Sequence, residues 1–350
     1  MSRRVTINEI ARRAGVSKTA VSFAFNNPER ISKETYERIM EIADELGYVP
    51  DPVARTLTTK RIGSIGFLIP HSIPVAFKNP FLSLMLQGVG SVCHKEGYSL
   101  TVVPPLKGCI FQGIRSAAVD GFVTFGLEAH LKIVELILQR NIPLVVVDGK
   151  PSERIPSVNT NDMQGAMEIM EYVLKAGHRH IAILSLKPAT SPGEEDTERE
   201  MFSRVRDLRL KGYERALERF GLGINDSNIR VIEAECSIEG GEAAARRLLS
   251  LKKPPTAIVA MSDIMAIGVF LYCKREGIRI PEDVSLAGFD DIPEASLISP
   301  GLTTVFQPAF EKGKAAGEIL IKLLKNKKTD TCIEFDTELV VRGSVKERND

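Results

Sequence analysis

Residues 6–26, TINEIARRAGVSKTAVSFAFN, hold the pattern that decides how the chain begins to fold. Thr6 followed three residues later by Glu9 has the spacing of a capping box, so a helix is expected to start at Thr6. Ile7, Ile10, Ala11 and Ala14 lie on one stripe of that helix. Gly15 supplies the backbone freedom for a tight turn, and Ser17 is a good N-cap for a second helix carrying Ala20, Val21, Ala24 and Phe25 inward. Two short helices joined by about three residues make a helix-turn-helix. Lys18, Thr19 and Phe23 are then left facing outward. Ser32 opens a third helix through Leu46, with Ile39, Ile42, Ala43 and Leu46 inward and Gly47 as its stop. A unit this small is marginal alone.

The rest of the chain bounds what such a head serves. At 350 residues, 43% hydrophobic and 26% charged, it has a globular composition and room for two or three domains. No apolar run is long enough to span a bilayer and the first residues lack a secretory signal, so a cytoplasmic location is expected. Five scattered cysteines, none spaced C-x-x-C, indicate neither a disulfide framework nor a zinc site. His178 and His180 lack ligand-type neighbours and read as a loop entering a strand, so no metal or other cofactor is expected. Net charge is +1 overall, but residues 1–61 hold 11 Lys and Arg against 8 Asp and Glu, leaving 35 against 37 downstream. A basic head on a slightly acidic body is the footprint of a protein that meets phosphate only through its head.

From residue 62 onward the pattern alternates strand and helix. The apolar runs IGSIGFLI, YSLTVV, GFVTF, PLVVVD, HIAILS, IRVIEA, TAIVA and VSLAGF are separated by helical stretches, which reads as parallel α/β sheets, either open or closed into a barrel. The glycine-rich fingerprints of dinucleotide and nucleoside-triphosphate sites are missing, as is a nucleophile elbow, and no enzymatic role is expected. Ligands of open parallel sheets sit beyond the carboxyl ends of strands. That points to Asp148 after PLVVV, Ser262 and Asp263 after TAIVAM, and Asp290 after SLAGF, where carboxylates can accept paired hydroxyls. Asp263 and Asp290 also fit as helix caps, and Phe81 in NPF fits either as a ring under a ligand's apolar face or as core.

The head motif and GYVPDPVARTLTTKR, residues 47–61, resemble the lactose-repressor and galactose-repressor family of bacterial transcription regulators over nearly the whole chain. The resemblance implies a helix-turn-helix domain over 1–49, a hinge helix and linker over 50–61, and over 62–350 two lobes like those of periplasmic binding proteins, with an effector cleft between them. It further implies a homodimer on palindromic operator DNA, most often as a repressor controlled by a carbohydrate-type effector. Residues 52–58 become the hinge helix, with Leu57 the apolar wedge in the minor groove and Ala54 allowing two hinges to approach. Thr6, Ser17, Ser22, Asn26, Tyr48 and Arg55 are expected phosphate or groove contacts, and Lys18, Thr19 and Phe23 face the bases. The family often carries arginine where Phe23 stands. A phenyl ring cannot grip guanine but can pack on a thymine methyl, so an altered operator preference is expected.

In the body, RLKGY matches the family's R-x-x-G-Y/F and selects Arg209. Gln307 matches a cleft residue, and Cys236 stands where the family often has a cleft aromatic. Ser262 replaces a common Asn, Gly149 a common Arg, LKPATSPGEEDTEREMFS (186–203) is longer than usual, and PPLKGCIFQGIRSAAV (104–119) is shorter, departures that point to a changed effector or to a weakened response to any effector. The tail VKERND has no leucine heptad, which argues against a tetramer. The competing reading is a carbohydrate-binding protein whose head no longer reads DNA.

Overall fold

The computed structural model describes residues 5–51, 56, 61–69, 72–107, 109–126, 132–150, 152–187 and 203–348. The hinge positions Ala54, Arg55 and Leu57 and most of the 186–203 insertion lie outside them. The chain divides into two compact units, Met1–Ile62 and Gly63–Asp350.

In the first unit, α1 (Ile7–Ala14), α2 (Lys18–Asn26) and α3 (Lys33–Glu45) surround a core of Ile10, Ala11, Ala14, Val21, Ala24, Ile39 and Ala43. Gly15 closes α1 at φ +65°. The hydroxyls of Ser17 and Ser32 accept from the N–H groups of Ala20 and Thr35, capping α2 and α3 as their spacing predicts. Thr6 departs from expectation: it occupies the N-cap of α1, but its side chain makes no capping bond. Glu9 instead pairs along the helix with Arg12 at 4.0 Å, so the reciprocal box does not close.

In the second unit all eight expected strands form, and they are open sheets. A six-stranded parallel sheet has the order β2-β1-β3-β4-β5-β11, made of β1 (Ser64–Leu68), β2 (Ser99–Val103), β3 (Gly121–Phe125), β4 (Leu144–Val147), β5 (Ser157–Thr160) and β11 (Cys332–Phe335). A four-stranded parallel sheet has the order β7-β6-β8-β9, from β6 (Ile181–Leu186), β7 (Ile229–Ala234), β8 (Ala257–Ala260) and β9 (Ser285–Ala287). Antiparallel β10 (Thr304–Phe306) and β12 (Glu338–Val340) continue beside β9 through the bridges Ala287–Thr303 and Asp290–Phe306. Central strands such as β1, β4 and β8 are buried at every residue, which explains their continuous apolar runs. Strand β5 is also fully buried, yet it reads SVNT and gave no apolar signal. Asn159 Nδ2 donates to Ser157 Oγ at 3.1 Å, whereas Asn159 Oδ1 is buried with no hydrogen-bond partner among the described residues.

The chain passes between the lobes after β5, after β10 and between β11 and β12. The lobe of the first sheet holds α4 (Ile73–Ala76), α5 (Pro80–Glu96), α6 (Ile110–Ser116), α7 (Lys132–Gln139) and, returning from the far end of the chain, α13 (Ala309–Leu324). The other holds α8 (Asp162–Lys175), α9 (Ser203–Arg219), α10 (Ile238–Leu249), α11 (Asp263–Glu276) and α12 (Pro293–Leu297). Helices α8 and α9 cross at Gly212, where an added Cβ would lie 2.3 Å from the Met163 carbonyl oxygen. Gly212 sits in the RLKGY motif, so the crossing sets how closely Arg209 approaches α8. Gly212→Val is expected to destabilise the protein by about 1–3 kcal/mol through forced separation of the helices. A urea midpoint equal to the parent's would contradict this.

Candidate functional site

On the head, Lys18 and Thr19 are exposed along α2, as expected of a reading surface. Ser17 is exposed and engaged in its cap. Ser22 and Asn26 are half-buried and tied together, Asn26 Nδ2 donating to the Ser22 carbonyl oxygen at 3.0 Å. Tyr48 is half-buried against Phe25, ring centroids 5.4 Å apart. Phe23 is half-buried rather than fully outward, because the Arg30 guanidinium lies over its ring at 5.4 Å. Arg30, in the 3₁₀ turn Pro28–Arg30, carries no signal in the helical periodicity, yet it brings a cation back to the face where Phe23 stands.

In the body, a cavity of about 390 Å³ opens between the lobes. Phe81, Asp148, Arg209, Cys236, Ser262, Asp290 and Gln307 all line it. Their convergence follows from chain direction: Asp148, Cys236, Ser262, Asp290 and Gln307 each follow the carboxyl end of a parallel strand or of β10. Phe81 enters from the first turn of α5 and tilts against Phe125, centroids 6.0 Å apart. Asp148 and Asp290 hold φ of +56° and +126°, conformations that cost free energy in a non-glycine residue and mark sites where side-chain placement overrides backbone comfort.

Arg209 organises one wall. Its Nε donates to Asp162 Oδ1 at 2.8 Å, its Nη1 donates to the Met261 carbonyl oxygen and lies 3.6 Å from Asp290 Oδ1, and its guanidinium stacks on Phe289 at 3.7 Å. Burial opposes its charge, but Asp162 and Asp290 outweigh that and raise its pKa. Asp290 in turn accepts from Ser262 Oγ and Gln307 Nε2, both at 2.6 Å. At the back, Lys312 of α13 is 0% exposed; its Nζ lies 2.7 Å from both oxygens of Asp148, donates to Gln307 Oε1 at 2.9 Å and sits 5.4 Å over the Phe81 ring. Burial pushes the pKa values of Asp148 and Asp290 up. Thr160 Oγ1 also donates to Gln307 Oε1, at 3.3 Å. The hydrogen-bonded chain Asp148–Lys312–Gln307–Asp290 therefore runs from one lobe to the other. At the mouth, Lys78 reaches across to Glu239 at 2.7 Å, and Asn79 Nδ2 lies 3.8 Å from Cys236 Sγ.

Asp263 does not join this group. It is fully buried off the cavity, its Oδ1 2.6 Å from Thr304 Oγ1 and its Oδ2 accepting the Ile292 N–H at 3.1 Å, so its side chain ties β10 and the start of α12 to α11. The effector role expected for it is corrected to a structural one. Conversely, Asp162, Lys312 and Thr160 complete the site without any motif to announce them. Burial, with the nearby Asp290 carboxylate, pushes Asp263 up to about 8. The folded protein thus keeps a proton that an unfolded aspartate releases above about pH 4, so this group's contribution to stability falls as pH rises from there toward 8. Asp263→Asn mimics the protonated form and retains both contacts. Urea unfolding should show it gaining on the parent by more than about 1 kcal/mol between pH 5.5 and 8.5; parallel pH dependences would rule out the retained proton.

Residues 6–51 match the model for bacterial regulatory proteins of the lacI family, and residues 170–345 match a periplasmic binding protein-like domain. The chain is 31% identical to the HTH-type transcriptional repressor PurR of Photobacterium profundum, covering 98% of this chain and 99% of that protein. It is 33% identical to PurR of Vibrio vulnificus over the same shares. Among solved structures, it resembles a LacI-family transcriptional regulator from Corynebacterium glutamicum (TM-score 0.71, 28% identity, 98% of this chain and 100% of that one). It also shares its fold with the lac repressor dimer bound to operator (TM-score 0.79, 23% identity, 98% and 100%).

Proposed function

The chain belongs to the lacI family of bacterial regulatory proteins, and from that premise we propose that its head binds operator DNA while its interlobe cavity binds the small molecule that controls the binding. The protein is a transcriptional repressor acting as a homodimer, so that two copies of α2 read two half-sites of a palindrome. Lys18, Thr19 and the Phe23–Arg30 pair face base edges, with Thr6, Ser17, Ser22, Asn26, Tyr48 and the hinge residues Ala54, Arg55 and Leu57 on backbone and minor groove. The observation that carries the reading of the body is the convergence of Asp148, Arg209, Asp290 and Gln307 on one cavity shared by both lobes. Asp290 accepts from hydroxyls there, Arg209 donates, and Phe81 offers a ring to an apolar face, which suits a carbohydrate-type effector. Groups from both lobes meet in that cavity, so an effector that fits one lobe arrangement better shifts the population toward it. The operator affinity changes by the same coupling free energy.

Selection of bound sequences from a random DNA pool should return a palindrome. Leu57→Arg should abolish binding, and Phe23→Arg should change the preferred base at one position in each half-site; enrichment of no sequence would reject the DNA-binding reading. For the cavity, a thermal-shift screen of sugars, sugar phosphates and nucleobases should yield a ligand whose stabilisation disappears in Arg209→Ala and Asp290→Ala. A ligand that stabilised both variants as much as the parent would move the effector site elsewhere.

A further inference from the structure

Given that the cavity is the effector site, we infer that it takes an uncharged or cationic molecule, and that the charge of its wall excludes phosphorylated and carboxylated ones. Among the described residues, every cation at the cavity is already matched. Arg209 serves Asp162 and Asp290, Lys312 is clamped by Asp148 behind the wall, Lys187 pairs with Glu235 at 2.8 Å and Lys78 with Glu239. In the buried cluster three carboxylates, Asp148, Asp162 and Asp290, face two cations, Arg209 and Lys312. With Asp290 ionised the wall carries an excess negative charge, and with Asp290 protonated it is neutral. In neither state does it present an unpaired positive one.

Helix N-termini are the other source of positive potential, and two that reach the cavity are capped from within the chain. Asn79 Oδ1 accepts the Phe81 N–H at 3.0 Å on α5, and Ser237 Oγ accepts the Gly240 N–H at 3.0 Å on α10. The first residue of α11 is itself an aspartate, Asp263. Lys312 also sets the hydrogen-bond polarity of the wall. As a donor-only group it claims Gln307 Oε1, which turns Gln307 Nε2 toward Asp290 and away from an incoming anion.

Cys236 makes this testable without knowing the effector, because it lines the cavity beside Ser262 and Asp290. Burial pushes its thiol up to about 11, which lowers both labelling rates alike and leaves their ratio unaffected. Full-length protein is treated separately with the cationic 2-(trimethylammonium)ethyl and the anionic 2-sulfonatoethyl methanethiosulfonates. Each forms a mixed disulfide with the thiolate and releases methanesulfinate. Rates at Cys236 are read by peptide mass spectrometry, and each is divided by that reagent's rate with 2-mercaptoethanol. The normalised cation-to-anion ratio is expected to be about tenfold or more, and to fall several-fold in Asp290→Asn. A parent ratio of one or less would overturn the inference. So would a phosphorylated compound that stabilises the parent against heat but not Asp290→Ala. The labelling ratio can fail while the cleft assignment stands, whereas the assignment itself falls only with the thermal-shift result on Arg209→Ala and Asp290→Ala.

Discussion

The buried guanidinium of Arg209 is the constraint on which the body's architecture depends. A charge only 4% exposed has lost nearly all its hydration, and it is tolerated because Asp162, Asp290, the Met261 carbonyl and the face of Phe289 surround it. These partners come from the start of α8, which follows β5, and from the ends of β8 and β9. Holding one ion therefore fixes where those three elements meet α9. The same requirement explains the close helix crossing at Gly212, without which α9 would stand too far from α8 for the Arg209–Asp162 contact.

Lys312 plays the matching part on the other side of the cavity. A lysine with no solvent contact is stable only beside a carboxylate, and Asp148 takes it with both oxygens. Gln307 lies between the two ion clusters and joins them, accepting from Lys312 and donating to Asp290. Because Gln307 stands on one of the segments that pass between lobes, this polar chain is placed where any change of interlobe geometry must alter it. A ligand entering the cavity competes with these internal bonds, so its differential affinity for the two lobe arrangements arises from a small number of identifiable groups.

The head illustrates a different economy. Its core is made of small and branched residues, and its caps are local, so three short helices hold a fixed geometry with few long-range contacts. That leaves α2 free to present side chains chosen for recognition. Phe23 gives up the hydrogen-bonding capacity of an arginine, and Arg30 returns a cation to the same region by lying on the ring.

Local patterns determined much of this protein. Helix spacing and the serine caps made α1 to α3 readable, continuous apolar runs marked eight of the strands, and the rule that sites follow strand carboxyl ends led to Asp148, Ser262 and Asp290. The resemblance added Arg209, Gln307 and Cys236. Tertiary structure alone decided which of these groups face the cavity and what completes them. Asp263 directly follows Ser262, yet it turns off the cavity to Thr304 and Ile292. Lys312 lies 164 residues from Asp148, and Thr160 lies 147 from Gln307, separations over which no periodicity or cap carries information. A buried charge finds its partner through the packing of whole elements, and the polar strand β5 is recognisable only once that packing has enclosed it.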